Sequence, residues 1–315
     1  MNSADLQRDS ARGALLGLAI GDALGTTLEF TTRDNYRPLT DIVGGGPFAL
    51  KAGEWTDDTA MALALADSLL TCDMLDPSDL SIRFCDWRYS GKYSHNGRCF
   101  DVGATVSRSL EAFRRTGHPF SGSCDPNAAG NGSLMRLAPV ALFRAHNITE
   151  CMKLARLQSR TTHGAHEAIE SCSAFALLLS SAICCGNKKD VLIARTGAWS
   201  EKVARAMTME PVSWPRSQVR GSGYVIHSLE AAIWAVGNSS TFAEAVLRAA
   251  NLGEDADTTA AITGQLAGAI WGARSIPDAW LKKLIWGDLI AGFADRLHEC
   301  DLAHSRKVPI DVFSA

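Results

Sequence analysis

Two short clusters of acidic and hydroxyl residues, far apart in the sequence, are the first candidates for chemistry. Residues 55–59 read WTDDT and residues 254–259 read EDADTT, and each cluster comes directly before an apolar stretch with helical periodicity. One carboxylate is enough to cap a helix N-terminus, and neighbouring carboxylates repel one another. Either cluster alone is compatible with helix capping, whereas the two clusters brought together by folding would need cations to offset their charge.

The donor atoms of these clusters indicate which cations would bind. Their four aspartates offer carboxylates, two or three of their threonines could add hydroxyl groups, and neither cluster contains a His or Cys. Such hard oxygen donors favour Mg²⁺ or Mn²⁺ over zinc. Two clusters could hold two ions roughly 3.5–4 Å apart, as in known dinuclear sites. The sequence therefore predicts a metal site if folding joins the clusters.

Three further acidic residues stand beside small residues. Asp22 falls at the end of a predicted helix, where the helix dipole disfavours a carboxylate, so we expect it to have a specific partner. Glu29 follows a Gly/Thr turn and either faces the same cleft or is a solvated loop carboxylate. Asp101 precedes a helix predicted from Val102, and is either its N-cap or a reactive carboxylate displayed on a loop.

A glycine-containing loop and a histidine turn are candidates for ligand binding. The loop AAGNGS, residues 128–133, precedes a helix that we expect to begin at Ser133. Its glycines would permit close backbone approach, and the N–H groups at the helix start could bind a diphosphate; the alternative is an ordinary Asn-Gly turn with a Ser cap. His163, in the turn TTHG, would on its own be taken as a hydrogen-bonded loop residue.

Six motifs, in order, resemble those of the ADP-ribosylglycohydrolase family and especially its bacterial dinitrogen-reductase-activating members. Each motif is short, but the ordered set is specific, and the resemblance runs from about residue 11 to 273. The motifs lie at residues 13–25, 55–59, 96–103, 130–136, 162–164 and 253–259.

The resemblance implies a fold and a set of site residues. The fold would be all-α, a single compact orthogonal multi-helix domain over residues 1–315, with a central cleft that holds two Mg²⁺ or Mn²⁺ ions. Asp101 would be a catalytic carboxylate, and Glu29 would be a second one that reaches the metal site. The implied metal ligands are Thr56, Asp57, Asp58, Asp255, Asp257 and Thr258. The implied ADP-ribose-binding residues are Gly103, Gly130, Asn131, Gly132, Ser133 and His163.

The activity implied by the resemblance is hydrolysis of the N-glycosidic bond between ADP-ribose and a protein side chain, most often arginine. Its partners would be an ADP-ribosylated protein and a cognate ADP-ribosyltransferase whose reaction it reverses. A carboxylate such as Asp101 could activate water or assist opening of the sugar ring. Some relatives carry an adenine-stacking aromatic beside the glycine loop, where this chain has Ala128 and Ala129. The candidate substitutes are Tyr224, Tyr89, Trp55 and Phe120.

Other functions remain open at this point. The chain could be an antidote that binds and inhibits a transferase, a hydrolase of another ADP-ribose conjugate, or a non-catalytic relative. Only about ten residues precede the first predicted helix, which gives no long arm for occluding a transferase. The presence of every aspartate of the two clusters argues against loss of the site.

Composition excludes several classes of protein. The chain has 315 residues with 31 Lys+Arg against 34 Asp+Glu, a net charge of −3, so it lacks a broad basic surface for nucleic acid. Its nine cysteines show no zinc-ligand spacing, and we interpret them as buried, reduced thiols of a cytoplasmic protein. The N-terminus lacks a signal-peptide pattern, and the longest apolar run, residues 174–185, is too short to span a membrane.

Helical periodicity extends over nearly the whole chain, without a Pro/Ser-rich linker. Gly13, Gly17 and Gly21 recur four residues apart on one stripe of the first helix, which predicts close packing against another helix. We expect one domain of about ten to thirteen helices, with at most short extended pieces at residues 41–43 and 308–313. The predicted helices cover residues 11–24, 59–70, 77–87, 102–115, 133–145, 149–159, 166–185, 190–206, 223–236, 241–251, 258–273 and 278–298.

Overall fold

The chain is helical over most of its length, as the sequence predicts. The computed structural model describes residues 2–307, in which there are fourteen α-helices, four short 3₁₀-helices and no strand beyond isolated bridges. The α-helices are α1 Ser3–Gly25, α2 Asp57–Cys72, α3 Pro77–Ser90, α4 Ala104–Thr116, α5 Ala138–Arg144, α6 Ile148–Arg160, α7 His166–Cys185, α8 Lys188–Val191, α9 Glu201–Met207, α10 Val225–Gly237, α11 Phe242–Ala250, α12 Ala256–Trp271, α13 Asp278–Lys283 and α14 Gly287–Lys307. The 3₁₀-helices are Thr26–Leu28, Pro126–Ala128, Glu210–Ser213 and Ala273–Ser275.

Two helices packed backbone to backbone form the centre of the fold. The glycine stripe of α1 lies on α12: a Cβ atom at Gly17 would lie 2.2 Å from the carbonyl oxygen of Gly264, and one at Gly21 would lie 2.2 Å from that of Ala260. Only glycine allows this approach, so the predicted close packing is confirmed. Because the stripe continues to Gly25, the C-terminal end of α1 is held against the N-terminal end of α12.

The remaining helices surround this pair. α7, α10 and α11 pack on α12, while α14, α5 and α2 close the side next to α1. The buried hydrophobic residues of the described chain form one continuous cluster, so residues 2–307 make a single domain. The short piece expected at residues 308–313 lies outside the described residues.

Most predicted helices agree with the structure to within about three residues, and α7 agrees at both ends. The first helix is an exception, since it begins at Ser3 rather than at residue 11; the side chain of Asn2 caps it by accepting from the N–H of Asp5. The expected extended piece at residues 41–43 is absent, and the nearest pairing is an isolated bridge between Gly45 and Leu50.

Two predicted long helices are each broken in two. The predicted helix 190–206 becomes α8 and α9, because the intervening run contains Gly197 and folds back so that the N–H of Arg195 donates to the carbonyl of Met207. The predicted helix 278–298 becomes α13 and α14. Trp286 adopts φ 62° at the break and packs its ring 5.4 Å from that of Trp55. Tertiary contacts therefore override helical periodicity at both places.

Two further sequence-based interpretations are changed by burial. α7 is the one described helix long and apolar enough to cross a membrane, so the apolar segment is longer than we expected from the sequence. Inside the protein, 72% of its most apolar window is buried, as in the core helix of a globular protein. All nine cysteines are free thiols, but only Cys151 and Cys172 are buried, while Cys124 and Cys185 are exposed.

Candidate metal and active site

Folding brings the two acidic clusters together at the N-terminal ends of α2 and α12. Asp57 and Asp58 lie in the first turn of α2, and Asp257 lies in the first turn of α12. The hydroxyl of Thr258 lies 3.4 Å from Oδ2 of Asp58, which stands two hundred positions earlier in the chain. Carboxylate oxygens fall within 4.8 Å of one another in two groups that share Asp257: one with Asp22 and Asp58, and one with Glu29 and Asp255.

The clusters do not cap their own helices. Thr56 and Asp255 occupy the N-cap positions of α2 and α12, yet neither side chain makes a capping hydrogen bond. For α2 the cap comes from α1: Asp22 accepts from the backbone N–H of Thr56 at 2.9 Å and of Thr59 at 3.0 Å, and also from both threonine hydroxyls. The capping interpretation of the first cluster is therefore wrong, and the specific partner expected for Asp22 is confirmed.

The N-terminus of α12 is capped in the same way from a distant part of the chain. Glu29, in the segment after α1, accepts from the backbone N–H of Ala256 at 2.8 Å and of Asp257 at 3.4 Å. Glu29 is only 6% exposed, so the alternative of a solvated loop carboxylate is wrong. With both helix ends capped from outside, the carboxylates of Asp57, Asp58 and Asp255 are left for another role.

These buried carboxylates lack cationic partners. The ion pairs formed by lysine and arginine side chains in residues 2–307 involve none of them. Burial, followed by repulsion from neighbouring carboxylates, raises the pKa of Asp57, Asp58 and Asp257 well above the usual value. Burial likewise raises the pKa of Glu29 to about 8 and that of Asp22 to about 6, although hydrogen bonds oppose the shift in both residues.

The residues present fit a hard divalent cation. Oδ1 of Asp58 is buried and has no hydrogen-bond partner among the described residues, which is costly for a carboxylate unless a cation binds it. The surrounding donors are carboxylate and hydroxyl oxygens, the ligands that Mg²⁺ and Mn²⁺ prefer. The acidic clusters can therefore bind metal.

A cavity of about 560 Å³ opens above the acidic clusters. Eleven of the fourteen residues selected from the sequence line it: Glu29, Asp57, Asp101, Gly103, Gly130, Asn131, Gly132, His163, Asp255, Asp257 and Thr258. The other three, Thr56, Asp58 and Ser133, lie outside its lining.

Each of the three remaining residues is buried for its own reason. The hydroxyl of Thr56 donates to Asp22 at 2.9 Å, and Asp58 lies beneath the cavity at 0% exposure. Ser133 is also fully buried, with its hydroxyl 2.8 Å from that of Ser159. No helix begins at Ser133, because α5 starts at Ala138. The predicted helix start at Ser133 is therefore wrong, whereas binding of a diphosphate by the backbone N–H groups of this loop stays a prediction.

The glycine loop contacts both the acidic cluster and the histidine turn. The amide nitrogen of Asn131 donates to Asp255 at 2.5 Å and to Ser228 at 2.9 Å, so this side chain ties the loop to the second cluster. A Cβ atom at Gly132 would lie 2.8 Å from the ring of His163, so glycine makes room for the imidazole. Burial lowers the pKa of His163 to about 3, and this residue therefore remains neutral near neutral pH.

Asp101 is a loop carboxylate at the cavity rather than a helix cap. α4 begins at Ala104 with Gly103 as its N-cap, two residues after Asp101. Asp101 adopts φ 54°, an unusual backbone conformation for a residue other than glycine. Burial raises its pKa to about 7, with a further contribution from the charge of Asp22. Its carboxyl group can therefore exchange a proton near neutral pH.

The cavity also contains residues that sequence reasoning did not select. Phe30, Met135 and Ser222 line it, whereas none of the four proposed adenine-stacking aromatics does. Trp55 is fully buried, and Tyr89 lies on the surface with the guanidinium of Arg114 over its ring. The one sequence feature that could have pointed to Phe30 is its position directly after Glu29. A lone phenylalanine is, however, usually assigned to the core.

Comparison with known proteins identifies the family. The model of the ADP-ribosylglycohydrolase family matches residues 3–306. The chain belongs to the ADP-ribosylglycohydrolase family. Its members are hydrolases that act on glycosidic bonds, so this protein is an enzyme of that class, as the ordered motifs predict.

Named relatives and a solved structure agree with this assignment. An ADP-ribosylarginine hydrolase, Tri1, from Pseudomonas putida (strain GB-1) is 45% identical over 291 residues, which cover 92% of this chain and 78% of that protein. An ADP-ribosyl-[dinitrogen reductase] glycohydrolase from Rhodospirillum rubrum is 32% identical over 289 residues, covering 88% of this chain and 90% of that protein. A chain of an ADP-ribosylglycohydrolase-related protein complex superposes with a TM-score of 0.84 at 38% identity, covering 94% of this chain and 99% of that chain.

Proposed function

We propose that this enzyme hydrolyses the N-glycosidic bond between ADP-ribose and an arginine side chain, with two Mg²⁺ or Mn²⁺ ions as cofactors. The observation that carries the proposal is the convergence of Asp57, Asp58, Asp255 and Asp257 beneath one cavity, where no lysine or arginine of the described residues forms an ion pair with them. Relatives named ADP-ribosylarginine hydrolase, 45% and 43% identical to this chain, support arginine as the acceptor.

The carboxylates of Asp57, Asp58, Asp255 and Asp257 would hold the ions, together with the hydroxyl of Thr258. Bound divalent ions would supply positive charge for a ribose diol and a diphosphate, and would favour ionisation of a bound water. Thr56 would also be a ligand, because its hydroxyl donates its proton to Asp22 and keeps its oxygen lone pairs for an ion. The same hydrogen bond holds the start of α2 in place.

The other cavity residues have roles that follow from their contacts. Asp101, whose pKa burial raises to about 7, would move a proton to or from water or the sugar ring. Asn131 holds Asp255 by a hydrogen bond and so orients a carboxylate of the metal site. Gly130 and Gly132 leave room for a ligand to approach the backbone, and neutral His163 would add a hydrogen bond without adding charge.

The proposal also implies a biological context. The substrate would be an ADP-ribosylated protein, and an ADP-ribosyltransferase would be the enzyme class that supplies it. We propose the cytoplasm as the compartment, because nine free cysteines fit a reducing environment.

A substrate panel tests the proposal. Purified protein is incubated with ADP-ribosyl-arginine, ADP-ribosyl-serine and ADP-ribosylated DNA, with Mg²⁺ or with a chelator, and free ADP-ribose is measured directly. We expect release from the arginine conjugate only when Mg²⁺ or Mn²⁺ is present. Release from another conjugate alone would show that the acceptor is not arginine. Equal release of ADP-ribose in chelator would refute the metal requirement. Asp57→Asn is the matched inactive control.

A further inference from the structure

Phe30 occupies a position that the fold alone does not explain. It borders the cavity, yet it is 70% exposed, the largest exposure of any large hydrophobic residue in the described chain. Its backbone adopts φ 58°, a left-handed conformation that bulky residues rarely adopt. An exposed aromatic ring on a strained backbone at the edge of an active site indicates a role in binding.

The conformation of Phe30 is fixed by its neighbours in the chain and across the cavity rim. The N–H of Phe30 donates to the carbonyl of Glu254 at 2.7 Å, and the N–H of Glu254 donates back to Thr31 at 2.8 Å. Glu254 is itself left-handed, with φ 63°. These paired bonds hold the backbone of Phe30 beside the second acidic cluster.

A series of rings braces the side chain from behind. The ring of Phe30 lies 6.5 Å from that of Phe48 in a T-shaped arrangement, and Phe48 lies 5.5 Å from Phe100. The series continues from Phe100 to His95 at 5.9 Å and then to the buried ring of Trp55 at 5.0 Å. Phe30 is therefore presented to the cavity on a wall of packed rings rather than on a free loop.

Carboxyl groups, and no lysine or arginine of the described residues, line the cavity together with the ring. Phe30 is the one phenylalanine, tyrosine or tryptophan lining the cavity among the described residues. Glu29, Asp101 and Glu254 line the cavity with it, and the one ion pair among these three carboxylates joins Glu254 to the half-exposed Arg220. The glycine loop and neutral His163 also line the cavity and add no charged side chain.

We infer that the ring of Phe30 binds the guanidinium group of ADP-ribosylated arginine and so selects arginine over neutral acceptors. The inference rests on the proposed function and assigns the part of the cavity that receives the protein side of the bond. A guanidinium is planar, delocalised and weakly hydrated, so it stacks on aromatic faces more readily than other acceptor groups. An acceptor such as serine carries no charge and gains nothing from the ring quadrupole.

The test separates the aromatic ring from simple apolar surface. Phe30→Leu keeps an apolar side chain but removes the ring, and we expect the KM for ADP-ribosyl-arginine to rise about fivefold while kcat stays within about twofold. The Kd for free ADP-ribose, measured by calorimetry, should stay within about twofold, because this product lacks the guanidinium. Phe30→Tyr and Phe30→Trp should restore the KM of the wild type.

The controls and contrary outcomes are distinct. Tyr89→Leu removes an exposed aromatic outside the cavity and should leave every constant unchanged. An unchanged KM in Phe30→Leu overturns the inference, and so does an equal loss of affinity for free ADP-ribose, which would indicate general damage to Glu29 and its neighbours. If the wild type releases no ADP-ribose at all, the proposed function fails instead. The same comparison is then made on binding of ADP-ribosyl-arginine, where equal Kd values for Phe30→Leu and the wild type overturn the inference about Phe30.

Discussion

A buried or half-buried carboxylate lies at each end of α1, and the two have opposite kinds of partner. Near the N-terminal end, Arg8 and Arg12 both form ion pairs with Asp295 of α14, at 2.8 and 2.6 Å. At the C-terminal end, the side chain of Asp22 receives hydrogen bonds, among residues 2–307, from backbone N–H and hydroxyl groups of Thr56 and Thr59 alone, all of them neutral donors.

The electrostatic consequences differ in sign. Hydrogen bonds and charge from the two arginines outweigh burial and hold the pKa of Asp295 well below its usual range. Burial outweighs hydrogen bonding at Asp22 and raises its pKa to about 6. The charge of Asp295 is offset by two arginines, and this contact stabilises the fold. Asp22 belongs to a group of carboxylates that no lysine or arginine of the described residues pairs with. The type of partner, rather than the number of acidic residues, separates a structural contact from a candidate site.

The sharpest way to break this comparison is to neutralise one carboxylate of each kind. Asp257→Asn should lower the rate of ADP-ribose release at least about 100-fold, because both acidic groups lose a shared member. Without divalent ions its thermal stability should equal or exceed that of the wild type, because one repulsive charge is removed. Asp295→Asn, the matched control, should retain turnover and lose stability. If Asp257→Asn unfolds while Asp295→Asn does not, the second cluster is structural after all.

The hydrogen bonds by which Asp22 caps α2 should stabilise the folded protein by more than the burial of its carboxylate beside other carboxylates destabilises it. Asp22→Ala leaves two backbone N–H groups and two hydroxyls of α2 without their acceptor, and we expect a loss of about 2–4 kcal/mol in urea unfolding. Asp22→Asn retains one acceptor oxygen and should lose less. Equal stability of Asp22→Ala and the wild type would show that the cap is dispensable.

Divalent ions should stabilise the protein through the cavity alone. At about 100 times its Kd, Mg²⁺ should add about 2.7 kcal/mol to the free energy of unfolding, measured as a rise in Tm. Asp295→Asn should show the same rise, and Asp257→Asn should show little or none. An equal response of both variants would place the bound ion away from the acidic clusters.

The smallest expected effect is a loss of stability at acid pH through Asp295. Because the folded pKa of Asp295 lies below the unfolded value of about 3.9, the folded state binds fewer protons there. Its contribution is present above about pH 4 and is lost as the pH falls further. We expect about 1 kcal/mol, since Arg8 and Arg12 are nearly half exposed and their pairing is screened. Urea unfolding at pH 5 and pH 3 measures it.

The opposite slope is expected for the cavity. Glu29 and Asp22 have folded pKa values of about 8 and about 6, above their unfolded values, so the metal-free folded state binds more protons than the unfolded state. Lowering the pH from 8 to 5 in chelator should therefore stabilise the protein, and bound Mg²⁺ should abolish that slope. In Asp295→Asn the slope below pH 4 should shrink, whereas the slope between pH 8 and 5 should stay.

Much of this could be predicted from the sequence, because the signals were local. The glycine spacing of α1 predicted its close packing on another helix. The donor types in residues 55–59 and 254–259 indicated a site for hard cations. The predicted starts of α4 and α5 lie too early in the chain. Gly103 is the N-cap of α4 and Pro139 lies in the first turn of α5, and helical periodicity does not show where a helix begins.

The remaining features depend on contacts between distant residues. No local signal shows that Asp22 and Glu29 cap α2 and α12, since each accepts hydrogen bonds from a helix outside its own segment. The position of Trp286 is set by the ring of Trp55, and the place of Phe30 at the cavity is set by Glu254. Pattern reasoning identified the residue types of the site, and tertiary contacts determined which of them face the cavity.

The caps supplied by Asp22 and Glu29 also bear on how the protein folds. Asp22 lies 34 residues before its partner Thr56, and Glu29 lies 227 residues before Ala256, so the second cap closes a loop that spans most of the chain. Contacts of such separation form late and slow the folding of a domain. The acidic helix ends are therefore completed only when α1 has docked between them. A nascent chain that has not yet released α12 from the ribosome would contain half of the carboxylates and no finished metal site.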